Sequence, residues 1–255
     1  MRQTRNERPP SREGIESTKR VLILLCTFNE IDNLPEVIGQ LRNELPEADI
    51  LVVDDASPDG TGEWVAQRKK SDHQLFLMER SGKLGLGSAT RDGITWCLVR
   101  DYDFLIQMDA DLSHRPTDVP RLLSACLESD CDIAVGTRYA EGGSIQEMPL
   151  HRRMMSRWLN RYANWLLALP VSDCSGSFRC YRVSHMKRIN PNRLVCTGYG
   201  FLEELLVHLH RAGGKITEVP IQFCPRASGQ SKLGLGDAIG VLYVIHQLAS
   251  LKRHE

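Results

Sequence analysis

Hydrophobic runs alternate with amphipathic segments through the first 111 residues. The run Val21–Leu25 is continuously aliphatic and of strand length, which is typical of a strand buried on both faces. Residues 31–45 place leucine, valine and isoleucine at helical spacing, and Asp32 is the candidate N-cap of that helix. The same alternation predicts further strands at 50–55, 75–79 and 103–111, and helices at about 61–70 and 86–99.

This order of strands and helices predicts an α/β fold. Short connections favour a mostly parallel, doubly wound, Rossmann-like sheet with helices on both faces. Ligands of such sheets bind beyond the carboxyl ends of the strands. Because no linker divides the chain, we expect one domain in residues 21–236, followed by an apolar helix and tail in 237–255.

The second half of the chain is less regular. Residues 131–139 are predicted to form a strand and a loop, and residues 215–223 a further strand. Helices are predicted at 151–169, 198–214 and 237–251. The helix at 151–169 carries methionine, tryptophan and leucine on one side and four arginines toward the other. Taken alone, such a stripe favours packing on the sheet.

Composition narrows the function classes. The 255 residues include 32 basic and 32 acidic side chains, a balance that does not indicate a nucleic-acid partner. Eight scattered cysteines favour reduced thiols in a cytosolic compartment over disulfides or a zinc site. No stretch approaches the roughly 20 apolar residues of a membrane span. Residues 1–20 carry six basic side chains, three acids and a Pro-Pro pair, and are predicted to form a disordered basic arm.

Polar side chains follow each of the first four predicted strands. In chain order they are Asn29 and Glu30, Asp54 and Asp55, Arg80 and Lys83, and Asp109 and Asp111. Carboxyl ends of parallel strands meet at one edge of a sheet, so these side chains are expected to converge there. Four such strand ends in succession predict a ligand site.

The sequence Asp-Ala-Asp at 109–111 has the chemistry of a metal site. Residues two apart on a strand point to one side, so Asp109 and Asp111 can act together. Mg²⁺ or Mn²⁺ prefers oxygen ligands and typically takes one or two carboxylates with water and substrate phosphates. An acidic turn in solvent is the alternative, but the neighbouring acids and bases favour a metal–phosphate site. We expect His114 to orient this turn rather than to act as a catalytic acid or base.

The glycine-rich motifs of two other kinds of nucleotide-binding site are absent, which argues against those sites. A dinucleotide site needs G-x-G-x-x-G in the first strand-to-helix turn, which here is CTFNEID, and no GxxxxGK[ST] occurs. The pentapeptide KLGLG does occur twice, at 83–87 and 232–236. Each copy sets a lysine beside glycines before a predicted helix, where the helix N-terminus favours an anion.

Seven motifs together resemble the dolichyl-phosphate (polyprenyl-phosphate) mannosyltransferases, which are inverting glycosyltransferases of family 2 with a GT-A type fold. In chain order they are CTFNE, VVDDASPDGT, GKLGLGSA, DADLSHRP, GTRY, SDCSGSFRCYR and RASGQSK. The resemblance spans about residues 21–236. It implies metal-dependent transfer of mannose from GDP-mannose to the phosphate of a polyprenyl or dolichyl phosphate.

The resemblance assigns residues to the donor. It places Phe28, Glu30, Val53 and Asp55 in the guanosine pocket, and we expect Lys83 beside the donor nucleotide. The family usually begins this region with PTYNE, whereas this chain has CTFNE. Base stacking survives the change from tyrosine to phenylalanine, but a hydroxyl contact is lost.

The resemblance also assigns the metal and phosphate ligands. It implies that Asp109, Ala110 and Asp111 bind the metal and donor, with Ser113 nearby. The residues expected to hold donor or acceptor phosphates are Arg138, Arg226 and Lys232, with Arg152 and Ser156 gripping the acceptor phosphate. Because that phosphate is already an anion near neutral pH, it needs no catalytic base, and in-line attack should invert the anomeric carbon.

A lipid acceptor implies a peripheral enzyme on the cytoplasmic face of a membrane. The basic, tryptophan-rich helix at 151–169 then suits the headgroup level, and the helix at 237–251 suits lipid or a small membrane-anchored partner. Two alternatives remain open from the sequence. One is a polyprenyl-phosphate transferase with another donor, such as UDP-glucose. The other is a non-catalytic module that binds a nucleotide sugar or a membrane partner.

Overall fold

The computed structural model describes residues 19–128, 130–146, 148–196, 198, 200–224 and 235–251. The predictions for residues 1–18, 225–234 and 252–255 lie outside them. The strands are β1 (Val21–Thr27), β2 (Asp49–Asp54), β3 (Leu75–Glu79), β4 (Phe104–Asp109), β5 (Ile133–Thr137), β6 (Ser144–Ile145), β7 (Arg179–Arg182), β8 (Ile216–Pro220) and β9 (Gln222–Phe223). The helices are α1 (Leu34–Glu44), α2 (Thr61–Arg68), α3 (Leu86–Leu98), α4 (Val119–Glu128), α5 (Leu150–Leu167), α6 (Val183–Met186), α7 (Phe201–Arg211) and α8 (Leu235–Leu251).

Seven of these strands form one sheet in the order β3-β2-β1-β4-β7-β5-β8. The pairs among β1 to β4 are parallel, as predicted, and β5 also pairs in parallel with β8. Strand β7 is antiparallel to both β4 and β5 and was not predicted. Strands β6 and β9 form a separate two-stranded ribbon.

The sheet is covered on both faces. Successive residues of β1 point to opposite sides, so Ile23 packs with α1 and α4, while Leu24 packs with α3 and α7. Gly93 allows α3 to lie directly on the sheet, because a Cβ there would come within 2.4 Å of a Leu24 methyl carbon. The close contact of α3 fixes the loop that precedes it, and that loop belongs to the site described below.

Some predicted boundaries are wrong. Asp32 does not cap α1. Asn33 is the N-cap residue and makes no side-chain cap hydrogen bond. Instead, the Glu30 carbonyl accepts from the N–H groups of both Asn33 and Leu34, which closes the turn into the helix. Strand β4 ends at Asp109 rather than at residue 111, and the strand predicted at 215–223 is divided into β8 and β9.

Helix α5 exposes its largest apolar side chains and buries two asparagines. The polar Asn160 and Asn164 are buried, whereas Met154, Trp158 and Trp165 are 64%, 64% and 75% exposed. The methionine–tryptophan stripe therefore does not pack on the sheet, contrary to what the stripe favours when taken alone. Exposed apolar area of this extent on one helix marks an interaction surface.

Helix α8 packs against α5 and α7. Its Ile245 and Leu248 are buried, and the Tyr162 hydroxyl of α5 lies 2.8 Å from His246 Nε2. Within the described residues, no helix has the length and apolar character that crossing a membrane requires.

Candidate active site

The carboxyl ends of the parallel strands lie level at one edge of the sheet. Cys26 of β1 pairs with Val53 of β2 on one side and with Asp109 of β4 on the other. The backbone N–H of Arg80, directly after β3, donates to the Asp54 carbonyl. The polar strand ends therefore converge, as predicted.

Asp54 is buried and holds two strand ends together. Its carboxylate accepts hydrogen bonds from the Thr27 hydroxyl at 2.7 Å, from the Ser57 hydroxyl at 2.6 Å and from the Ser57 N–H at 2.9 Å. The Ser57 hydroxyl in turn accepts from the Asn29 N–H at 2.9 Å. The first aspartate of VVDD thus shapes the edge on which a ligand would rest.

Asp55 anchors the first KLGLG loop. Its carboxylate pairs with the Arg80 guanidinium and accepts from the N–H groups of Leu84 at 3.1 Å and Gly85 at 2.9 Å. Gly85 is the N-cap residue of α3 and has a φ of 96°, which favours glycine. The anion that lies beside the start of α3 is therefore the protein's own Asp55.

The side chains of Phe28 and Lys83 meet above this loop. The Lys83 ammonium lies 4.3 Å from the centroid of the Phe28 ring, which is a cation–π contact. On the other side of the β1–α1 turn, a Glu30 carboxylate oxygen accepts from the Asn33 side-chain amide at 2.9 Å. An aromatic face, an ammonium and a carboxylate thus surround the end of β1.

The Asp-Ala-Asp turn closes directly after β4. Asp111 is buried and accepts from the N–H of Ser113 at 3.0 Å and from its hydroxyl at 2.5 Å. Asp109 is partly exposed and accepts from the Ser177 hydroxyl at 2.7 Å. Ala110 is buried, as is Val53 of the predicted guanosine pocket.

His114 supports this turn from beneath. Its ring stacks on Phe178 with centroids 5.0 Å apart, and its Nδ1 accepts from the Asp109 N–H at 3.2 Å. Burial lowers the pKa of His114, although the charges of Asp109 and Asp111 oppose that effect. A neutral imidazole that accepts at Nδ1 orients the backbone, which agrees with the orienting role expected from the sequence.

Arg138 lies in a buried ion pair. Its Nε and Nη2 donate to the two Asp173 carboxylate oxygens at 2.6 and 2.8 Å, and Nη2 also donates to the Ser175 hydroxyl at 2.9 Å. Burial alone would raise the pKa of Asp173, but the charge and hydrogen bonds of Arg138 outweigh it and hold that pKa below its usual range. The pair fixes the Arg138 guanidinium beside the loop at 172–177.

Helix α5 joins the same loop through its inward side. The Ser156 hydroxyl lies 2.6 Å from the Tyr139 hydroxyl, and the Asn160 amide bonds both Ser175 and the Cys174 N–H. Arg152 lies on α5, but its side chain is outside the described residues. Arg226 and Lys232 are also outside them, so their predicted phosphate contacts remain predictions.

The motif SDCSGS contributes more to the site than its sequence indicated. Asp173 and Ser177 had no predicted role, yet they position Arg138 and Asp109 respectively. The signal available in the sequence was a run of small and polar residues ahead of Phe178. Such a run predicts a loop, but it does not predict which residues the loop contacts.

Glu203 is a further buried acid behind this loop. It is 3% exposed, and its Oε2 has no hydrogen-bond partner among the described residues. Burial raises the pKa of Glu203 to about 7, although Arg179 acts in the opposite direction. Arg179 is itself fully buried and donates to the carbonyls of Cys174, Gly176 and Leu202.

The raised pKa of Glu203 predicts a pH-dependent stability. Because the folded state holds this proton more tightly than the unfolded chain, the stabilisation is complete below the usual carboxyl range and is lost as pH rises through about 7. Between pH 5 and 8 this loss should lower the free energy of unfolding of the wild type by up to about 3 kcal/mol. Glu203→Gln should abolish that part of the decline. Urea denaturation at several pH values would measure it, with the exposed Glu63→Gln as control. Equal slopes for Glu203→Gln and wild type would contradict the prediction.

The oxygen atoms at the carboxyl end of β4 fit a hard divalent cation. Among the described residues, no group of three or more His, Cys, Asp and Glu side chains converges on a common point. Mg²⁺ and Mn²⁺ do not require such a cluster, because substrate phosphates and water complete their coordination. Asp109 and Asp111 offer carboxylate oxygen beside the partly exposed end of β4, which suits that mode.

Comparison with known proteins identifies the family. A family model described as glycosyl transferase family 2 matches residues 22–189. An undecaprenyl-phosphate mannosyltransferase of Micrococcus luteus is 41% identical over 85% of this chain and 88% of its own. A polyprenol monophosphomannose synthase of Mycolicibacterium smegmatis is 37% identical over 86% of this chain and 83% of its own. The resemblance drawn from the motifs is thereby confirmed.

The fold also has solved counterparts. Glucosyl-3-phosphoglycerate synthase from Mycobacterium tuberculosis, crystallised with Mn²⁺, UDP and glucosyl-3-phosphoglycerate, superposes with a TM-score of 0.65. It is 17% identical and covers 91% of this chain and 81% of its own, which establishes the shared GT-A-like fold alone. Since the family model spans most of the chain and both curated relatives align along more than four fifths of it, the chain belongs to glycosyl transferase family 2.

Proposed function

We propose that this protein transfers mannose from GDP-mannose to the phosphate of a polyprenyl phosphate. The observation that carries the proposal is the identity of 37–41%, over about 85% of the chain, with two relatives whose names describe that chemistry. The converging strand ends provide the necessary parts, namely an aromatic face, two carboxylates and a fixed guanidinium.

The acceptor determines what the residues must do. A phosphate monoester carries negative charge near neutral pH, so its oxygen can attack the anomeric carbon without a side chain to remove a proton. The protein must then hold two anionic substrates close together and in line. That task calls for positive groups in fixed positions, because preorganised charge needs no rearrangement during the reaction.

Arg138 is held in a suitable way for this role. Two of its nitrogens are committed to Asp173, so the guanidinium cannot swing into solvent, and its remaining donor capacity is available for a phosphate oxygen. Ser156 of α5 is hydrogen-bonded to Tyr139, the residue that follows Arg138. The acceptor phosphate would lie against the side chains of Arg138 and Ser156, with Arg152 one turn earlier on the same helix.

The leaving group is the second difficulty, since GDP departs with additional negative charge. Asp109 and Asp111 would hold Mg²⁺ or Mn²⁺, which supplies Lewis-acid stabilisation to the diphosphate when bound. Ser113 and Ser177 each donate a hydroxyl to one of these aspartates and so fix its orientation. His114 fixes the backbone at Asp109 by accepting from its N–H.

The outward stripe of α5 supports a peripheral position on a membrane. Trp158 and Tyr162 stack at 5.8 Å, Tyr162 and Trp165 are 6.3 Å apart, and the exposed Arg157 and Arg161 lie on the same helix. Aromatic side chains with arginines match the headgroup level of a bilayer, where a polyprenyl phosphate presents its phosphate.

Replacing both tryptophans should weaken binding to membranes. Trp158→Ala combined with Trp165→Ala removes the two largest exposed apolar groups, and we expect at least about tenfold less protein on phosphatidylcholine–phosphatidylglycerol vesicles. Vesicle flotation measures the bound fraction. Val99→Ala is the control, because Val99 is an exposed apolar residue that lies outside α5, at the C-terminal end of α3. Unchanged flotation of the double variant would remove α5 from the membrane proposal.

A transfer assay tests the function itself. Purified protein is incubated with a short polyprenyl phosphate and either radiolabelled GDP-mannose or UDP-glucose, with and without Mg²⁺ or Mn²⁺. Metal-dependent, lipid-linked product from GDP-mannose is expected. Product from UDP-glucose alone would replace the donor, and product from neither donor would favour the non-catalytic binding module.

A further inference from the structure

The Lys83 ammonium covers the face of the Phe28 ring, on which the base of the proposed donor is expected to stack. Phe28 follows β1, and Lys83 lies on the loop between β3 and α3, so the two come from different strand ends. The Lys83 ammonium lies 4.3 Å from the ring centroid, close to the distance at which a stacked base would lie. A base that stacks on this face must move the ammonium aside.

The loop that carries Lys83 is fixed by its backbone. Asp55 accepts from the N–H groups of Leu84 and Gly85 and pairs with Arg80. Those N–H groups are the ones that would otherwise cradle a phosphate, and they already have a carboxylate. The position of Lys83 is therefore defined, while its exposed side chain can still change direction.

The displaced ammonium would lie at the edge of the stacked base. An ammonium has three donors and no acceptor, so it favours a base edge that offers acceptors only. Guanine presents the adjacent acceptors N7 and O6 on one edge, and lysine or arginine commonly reads them. Adenine places an amino donor at the second position, and uracil lacks the ring-nitrogen acceptor.

We propose that Lys83 is the residue that selects guanine in the donor, by leaving the face of Phe28 and donating to O6 and N7 of the base stacked there. This inference rests on the proposed function, since it takes GDP-mannose as the donor. It also accounts for base choice in a chain that has phenylalanine at position 28 and so lacks a hydroxyl there.

The alternative for Lys83 is a contact with the diphosphate, and the two roles differ in a measurable way. A phosphate contact contributes equally to every nucleoside diphosphate. A base-edge contact contributes only to bases with acceptors at both positions. IDP is the informative probe, because hypoxanthine keeps N7 and O6 but lacks the 2-amino group of guanine.

The test is calorimetric titration of GDP, IDP, ADP and UDP, with Mg²⁺ present, into wild type, Lys83→Met and Lys83→Arg. Lys83→Met should lower the affinity for GDP and IDP about tenfold and leave ADP and UDP within about twofold. Lys83→Arg should keep most of the preference. Lys70→Met is the control, since Lys70 is an exposed lysine whose ammonium donates to Gln67 near the end of α2.

Each other outcome has a definite meaning. An equal loss for all four nucleotides would assign Lys83 to the diphosphate and overturn the inference. A GDP preference that Lys83→Met retains would overturn it while leaving the proposed donor intact. A wild type that prefers UDP, or binds none of the four, would overturn the proposed donor and this inference together.

Discussion

Asp111→Asn should reduce mannose transfer by about a thousandfold or more while the protein stays folded. The amide keeps an oxygen that can accept from the N–H and hydroxyl of Ser113, so the turn after β4 retains its hydrogen bonds. What the change removes is the negative charge on which binding of a divalent cation depends. The transfer rate should therefore fall while the stability of the fold is retained.

Two measurements separate these effects. Product formation from GDP-mannose gives the transfer rate, and the midpoint of thermal unfolding reports the fold. Asp118→Asn is the control, because Asp118 is also buried, and the ion pair that the described residues show for it is with Arg121, three residues away. If Asp111→Asn retained near-normal turnover with an unchanged metal requirement, Asp111 would have no part in binding the cation.

Asp173→Asn should lower both the free energy of unfolding and the rate of transfer. Removing one partner of a buried ion pair leaves the Arg138 charge without its counter-charge, which costs about 3–5 kcal/mol in comparable pairs. Because the pKa of Asp173 is lowered, its stabilisation is complete at neutral pH and is lost as pH falls below the usual carboxyl range. Transfer should fall too, since Arg138 then loses its fixed orientation.

The chain supplies a matched control for this prediction. Asp72 forms a similar two-point pair with Arg42, with both nitrogen–oxygen distances at 3.0 Å, between α1 and the turn after α2. Asp72→Asn should destabilise the protein with little change in transfer by the folded fraction. Urea unfolding combined with rates at a temperature where both variants are folded would measure this. Equal transfer by the two variants would contradict a role for Asp173 in the site.

The first half of the fold could be predicted because its strands are almost purely aliphatic. Val21–Leu25 is buried, and an unbroken aliphatic run of that length is typical of a strand covered on both faces. Strand β7 could not be predicted, because its sequence RCYR includes two arginines. Arg179 is tolerated in the core because its guanidinium donates to the carbonyls of Cys174 and Gly176 in the preceding loop and of Leu202 in α7.

The candidate site was predictable to the extent that it depends on strand ends. Asp55 and Asp109 follow aliphatic runs, so their placement at one edge follows from the parallel order alone. Their partners depend on tertiary contacts that no local pattern encodes. The pairing of Arg138 with Asp173, and the use of Asp55 to hold Leu84 and Gly85, both join residues about 30 positions apart.

Helix α5 has two sets of positions that differ in how readily they tolerate substitution. Inward positions such as Asn160 are constrained by the loop that orients Arg138. Outward positions such as Trp158 and Trp165 are 64% and 75% exposed. Under the proposed function, evolution could adapt the outward set to a new membrane composition without disturbing catalysis. We would expect engineered solubility variants to be tolerated there for the same reason.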